Sequence, residues 1–302
     1  MSDSAQVAPL VSGREGRLSN TLPRWQGAVL LLLIAWLYAA ILTRLVLQWV
    51  GPGSDPNFQH GIFVPLFSLF VLWQDRKRWL SITPAPSWAG LPLVVLGLVM
   101  LVLGVFGAEL FFSRVSLIVL LAGLIILFQG WAFFRAVLFP WAFLFLMIPI
   151  PALLLQQVTF PLQLLAAKLG AAMLELAGVP ALVEGNVISI PSQQLEVAEA
   201  CSGIRSLLTM ITLSVIYGYL MERRIWVRTA LVSSAVPIAV VANSFRILGT
   251  GLTVQYWDPE KAEGFFHAFS GWLIFTVALI LLFVVHRILS LIWKPSPEAK
   301  LA

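Results

Sequence analysis

Cysteine is nearly missing from this 302-residue sequence; there is one, Cys201. A single thiol excludes an internal disulfide and any cysteine-based zinc cluster. Three histidines (His60, His267 and His286) leave little room for a multi-histidine metal site, so no metal or other cofactor is expected. Charge is scarce too. Only 11% of residues are charged and 60% are hydrophobic, whereas a soluble domain carries about a quarter of its residues charged. The net charge of +5 does not call for nucleic acid, because basic residues of membrane proteins gather in cytoplasmic loops. No cleavable signal peptide is expected: the first apolar run outlasts a signal core, and no small-residue cleavage site follows it.

What the chain has in abundance is uncharged sequence, with a mean hydropathy of +0.93. A helix crosses a bilayer in roughly 20 such residues. The expected fold is therefore an all-α polytopic membrane protein of about eight transmembrane helices. The spans fall near 26–49, 58–75, 87–107, 111–130, 132–150, 202–221, 226–252 and 268–291. Residues 1–24 read as a disordered cytoplasmic N-terminus and 293–302 as a cytoplasmic tail.

Lysine and arginine set the orientation. With the N-terminus inside, inner segments hold 13 of the 19 basic residues, and Arg44, Arg114, Lys168, Arg205, Arg246 and Lys261 remain outside. The positive-inside rule then puts both termini in the cytoplasm. The largest outer element is 151–201, an extracytoplasmic insert between the fifth and sixth spans. Its first part mixes Gln156, Gln157, Gln163, Lys168 and Glu175 with leucines, as an amphipathic helix lying on the outer surface would. Its second part, "VEGNVISIPSQQLEVAEA", alternates apolar and polar residues around Pro191-Ser192 and reads as a short hairpin leading to Cys201.

This topology brings three polar residues to one depth. Cys201 lies at the outer start of the sixth span, Arg246 in the outer third of the seventh, and His267 at the first turn of the eighth. Each has a plain structural explanation: a small buried hydrophobe, a snorkelling guanidinium, an interfacial imidazole. Yet a charge within a span costs about 2.5–3.5 kcal/mol on insertion scales and marks function by default. Arg246 also shares a helical stripe with Asn243 and Thr250, which turns it toward other helices. A thiol at a helix N-terminus, with Arg205 or Arg246 nearby, is biased toward thiolate. His267 is then the candidate acid and base. His60, at the outer start of the second span, is the rival base and otherwise a substrate-binding residue.

These residues lie in blocks that resemble a known family. "EACSGIRSL" (199–207), "NSFR" (243–246) and "HAFSG" (267–271) are similar to the three signature blocks of the exosortase/archaeosortase family. "FQHGIFVPLFSLFVLW" (58–73) and "EGNVISIPSQQLEVAEA" (184–200) add to the resemblance, which runs over roughly 25–292. It implies a membrane-embedded cysteine transpeptidase or endopeptidase that cuts a C-terminal Pro-Glu-Pro (PEP-CTERM) signal. That signal precedes a transmembrane helix and a basic tail on a membrane-anchored substrate protein. The family's proposed triad falls on Cys201 as nucleophile, Arg246 as thiolate or oxyanion stabiliser and His267 as general acid/base. Histidine at 267 resembles the bacterial branch. That branch accompanies exopolysaccharide genes and implies protein sorting at the periplasmic face of a Gram-negative inner membrane.

The substrate glutamate would need a cation, for which Arg205 and Arg114 are the candidates. His60, Asn243 and Glu199 complete the expected substrate-binding set, Glu199 either orienting an arginine or capping the helix. The competing readings are a transporter or flippase of exopolysaccharide precursors, and a membrane acyltransferase without a covalent intermediate. Neither gives the thiol a task. The acceptor of the acyl group, water, a lipid amine or another nucleophile, is left open by the residues themselves.

Overall fold

A computed structural model describes residues 24–52, 54–107, 109–196, 203–256 and 265–293. Helix α1 (Arg24–Val50) is followed by a 3-10 helix (Pro56–Ile62) that starts where Asp55 accepts a hydrogen bond from the backbone N–H of Asn57 at 2.9 Å. Helices α2 (Phe63–Gln74) and α3 (Arg76–Leu80) continue from it. The second expected span, 58–75, is thus a tight 3-10 turn leading into a helix of 12 residues.

Helices α4 (Gly90–Phe106) and α5 (Leu110–Phe128) form a hairpin whose spacing is set by small residues. Gly90, Gly97 and Gly104 recur every seven positions along α4 and face α5. A Cβ on Gly97 would sit 2.9 Å from the Leu120 nitrogen, and one on Gly104 2.5 Å from that of Ser113. Only glycine lets the backbones approach this closely. Tyr38 joins α1 to the pair through a buried 2.9 Å hydrogen bond with Ser116.

The expected fifth span, 132–150, is not one helix. It breaks into α6 (Trp131–Ala136), α7 (Leu138–Phe143) and a 3-10 turn (Leu144–Met147). Proline is the reason. Pro140 has no N–H to donate and its ring clashes with the carbonyl four residues back, at Ala136, where α6 stops. Pro149 then forces Ile148 into an extended conformation, ψ 121°, which ends the segment.

Helix α8 (Ala152–Leu176) runs 25 residues with Pro161 inside it. After it come β1 (Leu182–Glu184), β2 (Val187–Ser189) and β3 (Gln194–Glu196), an antiparallel sheet in the order β1-β2-β3. The hairpin expected around Pro191-Ser192 is β2 and β3, and β1 adds a strand that was not expected. Glu184 pairs with Val187, leaving the two-residue turn Gly185-Asn186, and Gly185 takes the positive φ of 64° that such a turn favours.

The last helices are α9 (Gly203–Met221), α10 (Ile225–Tyr256) and α11 (Phe265–Ile292). Helix α10 packs against α8, α9 and α11. It runs parallel to the C-terminal half of α8: the Ser244 hydroxyl reaches the Ala166 carbonyl, Gly170 faces Ile247, and Gly251 faces Leu174. The sheet closes over this seam, with Ile188, Ile190 and Leu195 in one buried cluster with Leu174, Ile247 and Val254.

At the other end of α9, Tyr219 donates to Asp75 at 2.8 Å and stacks on Phe139 at 4.0 Å. Arg228 donates from Nε to the Glu222 carbonyl at 2.6 Å. Among the described residues, five helices are long and apolar enough to cross a membrane: within α1, α5, α8, α10 and α11. The mainly helical chain is a polytopic membrane protein, as its composition requires.

Candidate functional site

The end of the bundle where α1 stops, α5 starts and α10 stops holds the described candidate residues. Arg246 lies ten residues before the end of α10 and is 7% exposed. Asn243, one turn earlier on the same stripe, is also buried and borders a cavity of about 20 Å³ with Thr159, Gln163, Leu207 and Val240. That volume suffices for about one water. A polar stripe inside α10 thus meets α8 and the second turn of α9, as the i, i+3 spacing of Asn243 and Arg246 predicts.

The two helices flanking α10 bear the other blocks. Arg205 is the third residue of α9 and His267 the third residue of α11. Cys201 and Glu199 lie outside the described residues. Helix α10 contacts both α9 and α11, so the segments that follow Cys201 and that carry His267 share one neighbour, the Arg246 helix.

Arg114 occupies a second position at this end. It sits one turn into α5, 6% exposed, beneath a cleft of about 580 Å³. Its Nη2 donates to Gln48 Oε1 of α1 at 2.8 Å. Two carboxylates reach the same cleft, and each already caps a backbone turn: Asp55 receives the Asn57 N–H and Glu109 the Phe111 N–H at 3.1 Å. Gln163 lines both this cleft and the smaller cavity beside Asn243. The two spaces therefore share a wall, and a path from Arg114 toward the Arg246 helix runs past that amide.

His60 differs from its companions. It is 8% exposed within the 3-10 helix and lines neither space among the described residues. Its Nδ1 makes no hydrogen bond of good geometry, and its ring packs near Phe58 at 6.4 Å between centroids.

Sequence reasoning missed Gln48 and the double placement of Gln163. Gln48 carried a signal: it is the amide in the otherwise apolar "LVLQWV" near the end of the first span. Gln163 carried none, since its shared wall follows from how α8 crosses α10.

Compared with known families, the chain matches the model described as Transmembrane exosortase (Exosortase_EpsH) over residues 49–284. No curated protein and no solved structure matches it.

Proposed function

Since the chain belongs to the transmembrane exosortase family, and is in general terms a membrane-embedded sorting enzyme, we propose that it is a cysteine transpeptidase or endopeptidase. Its substrates are membrane-anchored proteins bearing a C-terminal Pro-Glu-Pro signal, a transmembrane helix and a basic tail. We read residues 25–292 as the catalytic membrane domain, with 151–201 on the periplasmic side of an inner membrane and both termini in the cytoplasm. The single observation that supports the site is the burial of Arg246 in a helix that touches both α9 and α11.

In this reading Cys201 attacks the scissile carbonyl as a thiolate, and Arg246 stabilises first the thiolate and then the oxyanion. His267 protonates the departing amine, so the C–N bond breaks and a thioester forms on Cys201. The same imidazole then takes a proton from the acceptor, whose attack releases the thiol. Asn243 sits one turn from Arg246, where it can hold the guanidinium's orientation or meet the substrate backbone. Arg205, Glu199 and His60 complete the proposed substrate-binding set, with Glu199 the partner of an arginine. A scissile bond just outside a transmembrane helix would present itself at the depth where the signature blocks converge.

The test is co-expression with a substrate carrying the signal. Cys201→Ala and His267→Ala should each abolish processing, and Arg246→Ala should reduce it by about 10²-fold or more. Mass spectrometry of the new C-terminus identifies the acceptor: a free carboxylate means hydrolysis, an adduct names the nucleophile. Undiminished processing by Cys201→Ala removes the covalent mechanism.

A further inference from the structure

We infer that the cleft over Arg114 is a peptide-binding trough in which Arg114, positioned by Gln48, reads a single acidic side chain of the substrate segment. The inference rests on the reading above and assigns its acidic determinant to one of the two candidate arginines.

A guanidinium has five N–H donors in a planar fork and stays charged. Arg114 is 6% exposed, and among the described residues its only hydrogen bond is the 2.8 Å contact from Nη2 to Gln48 Oε1. A neutral amide fixes the fork without cancelling its charge. Glu109 acts on the guanidinium through its charge, but the hydrogen bonds of Glu109 and Asp55 go to the Phe111 and Asn57 N–H groups, and among the described residues neither carboxylate is hydrogen-bonded to Arg114. A buried cation with an amide for a partner is costly to keep, unless an anion arrives from outside.

The cleft's other features select the anion. Its volume of about 580 Å³ falls within the roughly 300–1,000 Å³ of ligand pockets. Arg114 is the one cation among the described residues lining the cleft, so the guanidinium offers a single place for an anionic side chain. The amides of Asn57, Gln156 and Gln163 offer donors and acceptors to a peptide backbone, and Phe58 and Phe111 offer apolar walls. Through Gln163 the trough leads toward Asn243, one turn from Arg246. A chain held at Arg114 by its acidic residue thus has a route toward the Arg246 helix.

The test measures binding, separately from turnover. Full-length Cys201→Ala protein in phosphatidylcholine nanodiscs is titrated with a fluorescent peptide containing Pro-Glu-Pro and with its Pro-Gln-Pro counterpart. The Glu peptide should bind tighter by about tenfold or more, the increment of a charged hydrogen-bonded pair. Gln48→Glu, isosteric with the native residue, places an internal carboxylate on Arg114 and should flatten that ratio while Pro-Gln-Pro binding is kept. Arg114→Gln should flatten it as well.

A ratio that survives Gln48→Glu and Arg114→Gln overturns the inference, as does a ratio lost only in Arg205→Gln. If replacing phosphatidylcholine with phosphatidylglycerol erases the Glu preference, the cleft takes a lipid headgroup and the peptide assignment falls. A flat ratio with Cys201-dependent processing sinks this inference alone. Processing that persists in Cys201→Ala sinks the catalytic reading and leaves the binding ratio standing.

Discussion

Two glycines, Gly170 and Gly249, should respond oppositely to the same methyl group. Gly170, on α8, faces Ile247, the residue after Arg246. A Cβ there would lie 2.6 Å from Ile247 Cγ2 and 2.8 Å from its Cβ, where carbon contacts settle at about 3.5–4.0 Å. The shortfall is roughly 1 Å, and Ile247 is 2% exposed with little room to retreat. Gly170→Ala gains about 1 kcal/mol of helix propensity and loses about 1–3 kcal/mol to overpacking. The net is a destabilisation of up to about 2 kcal/mol. Gly249, on α10, has nothing within 4 Å of its Cβ position, so Gly249→Ala should stabilise by about 0.5–1 kcal/mol.

Denaturation of the two variants in detergent should therefore move in opposite directions. Processing of a co-expressed substrate gives a second readout, because displacing reacting groups by about 1 Å can cost on the order of 10²-fold. The reasoning is refuted if the two alanines shift stability alike, or if Gly170→Ala is the more stable of the pair.

Two other outcomes follow from local geometry. Tyr219→Phe keeps the stack on Phe139 but deletes the 2.8 Å hydrogen bond to Asp75, so it should cost about 1–2 kcal/mol, with most of that loss absent in an Asp75→Ala background. Gly185→Val forces a branched side chain to a φ of 64° and should destabilise the turn by about 1–2 kcal/mol, visible as faster hydrogen exchange in β1 and β2.

Composition and apolar length were enough to read the class of fold, because a bilayer filters residues by hydropathy before any packing is considered. The hairpin around Pro191-Ser192 was legible from its alternation, whereas the turn at Gly185-Asn186 was passed over although its residue types match one backbone geometry. The break in 132–150 was written in the sequence as Pro140, but the apolar flanks "AVLF" and "WAFLFLM" outweighed it in any hydropathy reading. Arg246 and Asn243 announced themselves by stripe and burial cost. Arg114 read as an outer-side charge and as one of two candidate cations for the substrate glutamate. Its meeting with Gln48 depends on how α1 ends beside α5, a contact between residues 66 positions apart that no local pattern encodes.

Helix α8 decides the orientation of everything after it, since a ninth crossing there would reverse α9, α10 and α11 and undo the lysine and arginine asymmetry. Its length and composition allow a crossing. Its contacts argue for a helix confined to one end. Leu155 and Gln156 line the Arg114 cleft with Gln48 and Asp55, where α1 stops and α5 starts. Thr159 to Ala166 border Leu207 and Asn243, and Gly170 and Leu174 meet Ile247 and Gly251 near the end of α10. The described hydrogen bonds among Asp75, Tyr219 and Arg228 at the opposite end include none to α8. At about 37 Å the helix is long enough to span, yet the described neighbours named above lie toward the end of the bundle where α10 stops. Alkaline phosphatase fused after Gly178 should then be active, and the same reporter fused after Glu222 inactive. The reverse pattern would mean that α8 crosses, and the proposed periplasmic placement of the site would fall with it.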